Sequence, residues 1–397
     1  MARPTTLRDT GRPRPTPRGS FALEPVGALS RYADAINRLA ERAVEPNPFF
    51  LPEFLAPAIQ AFGPRGLKLA IFSDRDEVQF FAPVRASRRG ILRASRLTVW
   101  THPYAPLGAP LIDVGASEQI ADSLMERLQE LGRRLILFPD LPLAGPAAKI
   151  LRQAASRQGS VLAAAQTRRP ILDADATDGA GAFDRMVPAK RQRELGRQLR
   201  RLSEIGAVSL MTARSPSEID AAFTTFATLE ASGWKGRRGT AINRSRKVSA
   251  FSRSAVVQFA ESGRVAIDIL RVGEVPAAAL IRFDQGGLSV PWKVAYDEGF
   301  AAFSPGKQLM CDATRRWLAD PNTRRVDPVC EEDNPLMAPL WPDREPYGTL
   351  ILSTTRWSTS PQVSAALINL KLSAKARIRT LIRGKPRAPA AAVPDSS

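Results

Sequence analysis

The stretch 290-VPWKVAYDEGFAAFSPGKQLM-310 decides how the second half of this chain is interpreted. It starts with β-favouring residues, turns at 297-DEG-299, and continues through 304-SPGKQ-308 into a helical pattern. A strand, a loop of small residues and a helix start form an arrangement in which proteins commonly bind anions. The stretch therefore raises the question of which anion would lie there.

Each residue of this junction has a physical reason to favour an anion. Pro305 suits the first helical turn, where an N–H would lack an intrahelical acceptor. Gly306 allows a ligand to contact the backbone, and Lys307 adds a positive charge to that of the helix dipole. The alternative is an ordinary helix start in which Ser304 caps the first turn.

Two better-known motifs are excluded at this junction. A P-loop requires glycine, four residues and then Gly-Lys-Ser/Thr, but Gly299 is too distant and Gln308 replaces the hydroxyl residue. The Ser-x-x-Lys pattern occurs at 304–307 and 232–235, but the sequence lacks the Lys-Thr-Gly and Ser-Asp-Asn boxes of penicillin-recognising enzymes. An anion site of a different kind therefore remains.

The composition indicates a globular protein of more than one domain. With 397 residues, 44% hydrophobic and 24% charged, the chain is too long for one ordinary core. Two cysteines and one histidine exclude a disulfide framework and argue against a zinc cluster, so no metal is expected. Neither a membrane span nor a secretory signal is recognisable, and a cytoplasmic location is the expectation.

The net charge of +18 points to an anionic partner but does not identify it. Residues 1–20 and 371–397 together contain twelve basic and two acidic residues, so much of the excess lies in the two ends. Both ends are expected to be disordered. Within the second, 371-KLSAKARIRTLIR-383 has the spacing of a basic amphipathic helix, which predicts peripheral contact with an anionic membrane at its inner face.

Two units of similar plan are predicted, residues 21–172 and 187–356, with a linker at 173–186 and basic tails at 1–20 and 357–397. Each unit reads as helices, three antiparallel strands, a helix, a strand, a helix and a strand, and the run 347-YGTLILS-353 closes the second unit. This order predicts an α/β fold of two domains in tandem, each a mixed, mostly antiparallel sheet flanked by helices.

Three further motifs are candidates for substrate contact. The segment 233-GWKGRRGTA-241 is glycine-rich and basic, which predicts a mobile flap; a helix connection with a packed tryptophan is the alternative. In 100-WTHPYAP-106, every second residue is aromatic, so a strand places these side chains on one face. The helix 189–205 surrounds a leucine stripe with arginines, which indicates either a solvated face or a phosphate-rich substrate such as a nucleotide sugar or tRNA.

Several of these segments resemble one family. In the first half they are 46-PNPFFLPEF-54 and 100-WTHPYAPLGAPL-111. In the second half they are 189-AKRQRELGRQLRRL-202, 226-FATLEASGWKGRRGTA-241, 293-KVAYDEGFAAFSPGKQL-309 and 326-VDPVCEEDNP-335. Together they resemble the GNAT superfamily over about residues 20–355. The likeness is greatest to the acetyltransferase domain of CelD-type polysaccharide-biosynthesis proteins and their FemAB-like relatives, in which two GNAT domains follow each other.

This resemblance implies an acyltransferase that moves an acyl group, in the first place acetyl from acetyl-coenzyme A, to an amine or hydroxyl of a sugar or envelope precursor. In GNAT proteins the loop after the fourth strand holds the pyrophosphate of coenzyme A. The loop is shorter and poorer in glycine here, and FemAB-like relatives use aminoacyl-tRNA, so that carrier is the alternative. A non-catalytic binding protein of the same fold is a third possibility. The residues that the resemblance assigns to carrier binding are Ser304, Pro305, Gly306, Lys307 and Gln308.

Acyl transfer requires a group that takes a proton from the acceptor and a group that stabilises the leaving thiolate. The catalytic candidates flank the anion junction or the glycine-rich segment. They are Asp297, Tyr296 and Glu230. The candidates for substrate binding are Trp100, His102, Tyr104, Trp234, Lys235 and Lys293.

Overall fold

The structure, a computed structural model, describes residues 19–75, 77–87, 96–132, 135–176, 181–239, 241–355 and 361–370. Most of the predicted tails, including the amphipathic segment 371–383, lie outside the described residues. Two parts of those tails have regular structure. Ser20 begins the first strand, and residues 361–370 are helical and pack through Ala365 and Ile368 on the N-terminal sheet.

The helices occur where the periodic patterns place them. Proline occupies the first turn of α2, α4, α7 and α10, where no intrahelical bond is lost. Ser215 and Glu218 form a capping box at the start of α7. In chain order the helices are α1 Leu29–Glu41, α2 Pro52–Phe62, α3 Ser117–Glu130, α4 Pro146–Gln158, α5 Ala182–Met186, α6 Ala189–Ile205, α7 Pro216–Ser232, α8 Trp234–Arg237, α9 Arg246–Glu261, α10 Pro305–Ala319 and α11 361–370.

The strands form two sheets. In chain order they are β1 Ser20–Pro25, β2 Leu67–Asp74, β3 Glu77–Ser87, β4 Arg96–Val99, β5 Leu111–Ile112, β6 Leu135–Pro142, β7 Ser160–Pro170, β8 Leu172–Asp173, β9 Val208–Ala213, β10 Val265–Val272, β11 Val275–Gln285, β12 Leu288–Tyr296, β13 Arg325–Val326 and β14 Arg344–Ser353.

The N-terminal sheet has the order β1-β2-β3-β4-β6-β14-β7, and β5 pairs with β3. Its ladders are antiparallel except for the parallel pair β4–β6. The C-terminal sheet has the order β8-β13-β12-β11-β10-β9, with one parallel pair, β12–β13. Helices flank both sheets, which confirms the predicted class of two mixed, mostly antiparallel sheets with helices.

The predicted position of residues 347–353 is wrong. They belong to β14, which lies between β6 and β7 and is antiparallel to both, so the last strand of the chain completes the N-terminal sheet. Conversely, β8 comes from the end of the first half of the chain but pairs with β13 in the C-terminal sheet. The predicted linker 173–186 likewise contains α5. Each half therefore contributes a strand to the sheet of the other half.

One apolar core joins the two halves. The Phe54 ring on α2 lies 5.3 Å from Phe251 on α9 and 5.8 Å from Phe283 on β11, both edge-on. It also lies 6.1 Å from Trp292 on β12. All four side chains belong to one continuous cluster of buried residues. Such close packing fixes the position of one sheet against the other.

A second apolar cluster lies on the opposite face of the C-terminal sheet, where α6 and α10 cover β10 and β11. Leu195 and Leu202, two members of the predicted leucine stripe, are buried there, and the arginines between them face outward. No helix in the described ranges is long and apolar enough to cross a membrane.

Ending the chain at residue 343 should prevent folding of the N-terminal half. The deletion removes Tyr347, Leu350, Ile351 and Leu352, each buried and each stabilising by about 1.5–3 kcal/mol. Together these contributions equal a large part of the roughly 5–15 kcal/mol that stabilises a domain. Ending the chain at residue 370 retains β14 and serves as the control. Circular dichroism during heating measures the outcome, and a cooperative transition at the wild-type temperature in the 343-residue chain would contradict the role of β14.

Candidate active site

The C-terminal sheet opens beside β12. Strands β12 and β13 pair only at Leu288↔Arg325 and Ser289↔Val326, followed by a hydrogen bond from the Asp327 N–H to the Ser289 carbonyl (3.0 Å). From residue 290 onward, the described ladder of β12 runs along β11 alone. The two parallel strands therefore part, and one edge of β12 faces an opening.

A bulge in β12 lies at this opening. The register between β11 and β12 shifts so that Trp292 is the extra residue between Pro291 and Lys293. The Trp292 indole N–H donates to the backbone carbonyl of Tyr104 at 2.8 Å. The bulge thus ties the C-terminal sheet to the aromatic segment of the N-terminal half.

Glu230 organises the charged groups beneath the bulge. Its side chain, on α7, is 1% exposed and accepts hydrogen bonds from Lys235 Nζ at 2.9 Å and from the Ile242 N–H at 2.7 Å. Lys293 Nζ lies 3.9 Å from the same Oε1. Lys235 also donates to the Val294 carbonyl on β12 at 3.1 Å. Because its oxygens are already occupied, Glu230 is placed to orient the two lysines.

Lys293 has the most strongly perturbed environment of these groups. Burial lowers the pKa of Lys293 to about 8, the nearby carboxylate of Glu230 opposes this shift, and the charge of Lys235 adds to it. The ammonium lies 5.1 Å from the ring centre of Tyr104 and 5.4 Å from that of Trp292. A lysine with this pKa is partly neutral near physiological pH and can accept a proton.

The predicted aromatic stripe of the N-terminal half converges on the same place. The His102 ring centre lies 4.9 Å from that of Trp100, 5.3 Å from Phe62 and 6.1 Å from Phe251. Burial lowers the pKa of His102 to about 4, so the imidazole is neutral at pH 7 and a weak base. Burial, with a contribution from the Glu230 charge, raises the pKa of Tyr104.

Within the glycine-rich segment, Trp234–Arg237 form the helix α8, which agrees with the alternative of a helix connection. The Trp234 N–H donates to Glu298 Oε1 at 2.7 Å, and Arg237 makes an ion pair with Glu298 at 2.7 Å. The hydrogen bond from Arg237 lowers the pKa of Glu298. The Trp234 ring is 41% exposed, and the guanidinium of Arg238 lies 5.2 Å from its centre. Sequence reasoning missed Glu298, although it follows the predicted Asp297.

Tyr296 ends β12, and Asp297 begins the turn that leads to α10. The Asp297 carboxylate accepts the Gly299 N–H at 2.8 Å, as expected of a turn-forming residue. Tyr296 lies against the start of α10, because a Cβ added to Gly306 would be 3.6 Å from its Cδ1. That distance is ordinary contact, so the backbone at Gly306 has room for a methyl group.

The anion junction differs in part from the prediction. Pro305 is the first residue of α10, as predicted, but Ser304 has a left-handed backbone (φ 53°), and its hydroxyl makes no capping bond with the described helix. Gln308, a predicted carrier ligand, is buried, and its amide donates to the Leu195 carbonyl on α6 at 2.8 Å. Gln308 therefore holds α6 against α10.

A surface cleft of about 460 Å³ joins the anion junction to the arginine-rich helix. Lys190 and Arg191, in the first turn of α6, face Ser304 and Lys307 across it. The volume lies in the usual range of small-molecule sites. Three cations and the start of α10 suit a phosphate group. The two motifs were singled out separately, and only the fold brings them together. The complete lining is Pro188, Lys190, Arg191, Glu194, Leu195, Gln198, Ser304 and Lys307.

The corresponding parallel pair in the N-terminal sheet, β4–β6, is covered by the chain itself. The Thr101 hydroxyl donates to the Asp140 carboxylate at 2.9 Å, and the Gly108 N–H donates to the Asp140 carbonyl at 3.1 Å. Arg169 bridges the Asp140 carboxylate and the Pro106 carbonyl, each at 2.7 Å. The segment after β4 thus occupies the place that stays open beside β12.

Comparison with known proteins agrees with this geometry. Residues 189–334 match the family described as acetyltransferase (GNAT) domain. The fold is similar to the C-terminal domain (DUF2156) of a putative lysylphosphatidylglycerol synthetase from Agrobacterium fabrum, with 10% identity and a TM-score of 0.53. That similarity covers 87% of this chain and 96% of that one.

Two other solved structures share the fold. FemX is 11% identical with a TM-score of 0.51, covering 84% of this chain and 97% of that chain. A conserved protein of unknown function from Bacteroides thetaiotaomicron VPI-5482 is 12% identical with a TM-score of 0.50, covering 81% and 97%. No curated protein matches at a significant level. The match at residues 189–334 is therefore to an acetyltransferase (GNAT) domain, and the likeness to the solved structures is one of fold.

The neutral state of His102 should make stability depend on pH. The pKa is 6.5 in the unfolded chain and about 4 in the fold, so the contribution is complete above pH 6.5 and is lost as pH falls toward 4. The difference amounts to at most about 3 kcal/mol. Urea unfolding at several pH values should show a wild-type loss that His102→Phe lacks. Parallel pH profiles for the two proteins would show that burial does not perturb His102.

Proposed function

We propose that this protein transfers an acyl group, acetyl in the first place, from acyl-coenzyme A to an amine or hydroxyl of a sugar or envelope precursor. The observation that carries the proposal is the cleft between α6 and α10, which lies at the start of α10. Lys190, Arg191 and Lys307 supply the charge that a pyrophosphate needs. An acyl group bound in line with that cleft reaches the opening beside Lys293. The co-substrate belongs to the cytoplasm, which is the location that we propose.

Lys293 is the proposed general base. The acceptor amine or hydroxyl attacks the thioester carbonyl, the new C–N or C–O bond forms, and the C–S bond breaks. The proton of the acceptor passes to the neutral amine of Lys293, and the thiolate leaves with a proton from solvent or from the hydroxyl of Tyr296. Glu230 and Lys235 position Lys293 and set its charge state. Asp297, bonded within its own turn, shapes the loop.

The acceptor is proposed to lie between the two halves of the chain. Tyr104 and Trp100 come from the N-terminal half, and the exposed ring of Trp234 comes from α8. Aromatic faces with a polar rim suit a sugar ring, and Lys235 adds a donor at the base of the site. His102 supports these rings from within the aromatic cluster. The likeness to CelD-type domains supports a polysaccharide precursor as acceptor.

Aminoacyl-tRNA is the second candidate carrier, and α6 favours it specifically. Beyond the cleft this helix exposes Arg193, Arg197, Arg200 and Arg201, more positive charge than one pyrophosphate requires. A row of arginines along a helix fits a nucleic-acid backbone. Arg197 is partly neutralised by Glu194 at 2.7 Å. We rank coenzyme A first because the cleft, at about 460 Å³, has the size of a small-molecule site.

Gly306→Asp should abolish coenzyme A binding. The new carboxylate would stand in the first turn of α10, beside Tyr296 and Val294, where its charge repels a phosphate bound at that turn. Gly306→Ala is the matched control, because its methyl group meets only ordinary contacts and should leave affinity within about threefold. Isothermal titration calorimetry measures both, and wild type should bind one coenzyme A per chain.

Two outcomes of this titration would contradict the proposal. If wild type binds no coenzyme A or acetyl-coenzyme A, the carrier is not coenzyme A, and binding of aminoacyl-tRNA is then measured by the same titration. If two molecules bind per chain, the segment after β4 does not close the N-terminal site. Loss of binding in Gly306→Ala as well would place the effect in the fold rather than in charge.

Lys293→Met should lower kcat/KM about 100-fold or more, the usual contribution of a general base. Wild-type kcat/KM should rise with pH to a plateau with an apparent pKa near 8, because the neutral amine is the active form. Lys235→Met is the control. It removes a positive charge that lowers the pKa of Lys293, so the rise of kcat/KM with pH should remain but occur at higher pH. If Lys293→Met shows the same rise of kcat/KM with pH as wild type, the general base is another group.

A further inference from the structure

The outer edge of the C-terminal sheet carries an apolar surface that the proposed acyl transfer does not use. β9 is the last strand of that sheet, and the end of α6 and the β10–β11 turn lie beside it. Ile205 is 56% exposed and Val275 is 48% exposed. The surface, called the β9 edge below, consists of Leu199, Ile205, Leu210, Met211 and Val275.

The strand registers place most of these side chains on one side of the sheet. Leu210 pairs with Leu270, and both Leu270 and Val272 lie on the face that α6 covers. Val275 pairs with Val272 and shares that face. Met211, next along β9, points to the other face, so the strand presents apolar groups on both sides of its free edge.

The end of α6 meets the same corner. A Cβ added to Gly206, directly after Ile205, would lie 3.3 Å from Val272 Cγ1. The Gly273 N–H donates to the Ala207 carbonyl at 2.8 Å. Ile205 and Val275 therefore belong to one continuous surface, although they are far apart in sequence.

Charge distinguishes the occupants that such a surface could take. Helix α6 contains six basic and two acidic residues, and Arg200 and Arg201 are exposed within the last two turns beside Ile205. Exposed apolar side chains next to arginines suit the surface of an anionic membrane, where the apolar groups enter the headgroup region and the arginines meet phosphates. A second copy paired through β9 would instead place two α6 helices of equal positive charge near each other, which is unfavourable.

We propose that the β9 edge docks on the surface of an anionic phospholipid bilayer. Ile205, Leu210 and Val275 insert at headgroup depth, and Arg200 and Arg201 bind lipid phosphates. Among the described residues β9 pairs with β10 alone, and the bilayer surface covers its outer edge. This contact involves neither the cleft nor Lys293, so it is independent of coenzyme A binding, whereas the aminoacyl-tRNA alternative would use Arg200 and Arg201 as well.

Flotation of the full chain with vesicles tests the proposal. Wild type should float with phosphatidylglycerol vesicles, weakly with phosphatidylcholine vesicles, and less as salt is added. Ile205→Asp and Val275→Asp should each lower the partition coefficient about tenfold or more, because each removes a buried apolar contact. Arg200→Glu tests the charge independently. Val114→Asp is the matched control: Val114 is 65% exposed in the N-terminal half, and its replacement should leave flotation unchanged.

Three results would overturn the proposal. The first is that wild type remains at the bottom of the gradient with both lipids. The second is that the two edge variants float as wild type does, which would assign binding to a segment such as 371–383. A third is a wild-type dimer in sedimentation that Ile205→Asp converts to a monomer, since this would make a second copy the occupant. Thermal unfolding of every variant establishes that the substituted chains are folded.

Discussion

The placement of β14 between β6 and β7 is the constraint on which the arrangement of the two halves depends. The strand is hydrogen-bonded along both edges, and its side chains also reach the C-terminal sheet. Tyr347 donates to the buried carboxylate of Asp327, and Arg325 reaches both the Tyr347 hydroxyl and Glu345. Because Arg325 and Asp327 lie at and just after β13, these bonds fix one wall of the active-site opening against the N-terminal sheet. The shared core at Phe54 fixes the opposite wall through Trp292.

The sequence alone was sufficient for features that depend on local order. The hairpins of β10, β11 and β12, the start of α10 at Pro305 and the leucine stripe of α6 follow from periodicity and turn residues within short windows. The sheet to which β14 belongs cannot be predicted from such short windows. The run 347–353 is apolar on both faces, so its pattern fits the interior of either sheet equally well, and only long-range packing decides between them. An arrangement in which each half completes the other has no signature in a short window.

The candidate site shows the same division. Tyr104, Glu230, Lys235 and Lys293 were selected from three segments, and the fold brings them together beside the bulge at Trp292. The sequence did not predict the protonation state of these groups or the contacts that they make. The lowered pKa values of Lys293 and His102 arise from burial by residues distant in sequence. Glu298 looked like a turn residue beside Asp297, and its role as anchor of α8 depends on Arg237, 61 positions earlier. Lys190 and Arg191 showed only a basic helix until α10 was placed opposite them.

The exchange of strands also has a consequence for synthesis on the ribosome. A domain made of consecutive residues can fold as soon as it emerges, but the N-terminal sheet here lacks an interior strand until residue 353 has been translated. Until then β6 and β7 each lack the strand that pairs between them, and such unpaired edges recruit foreign strands. The position between β6 and β7 must stay vacant while all residues of the C-terminal sheet are translated. The two halves must therefore fold together as one cooperative unit. During synthesis there is a long interval in which a chaperone would protect the unpaired strand edges.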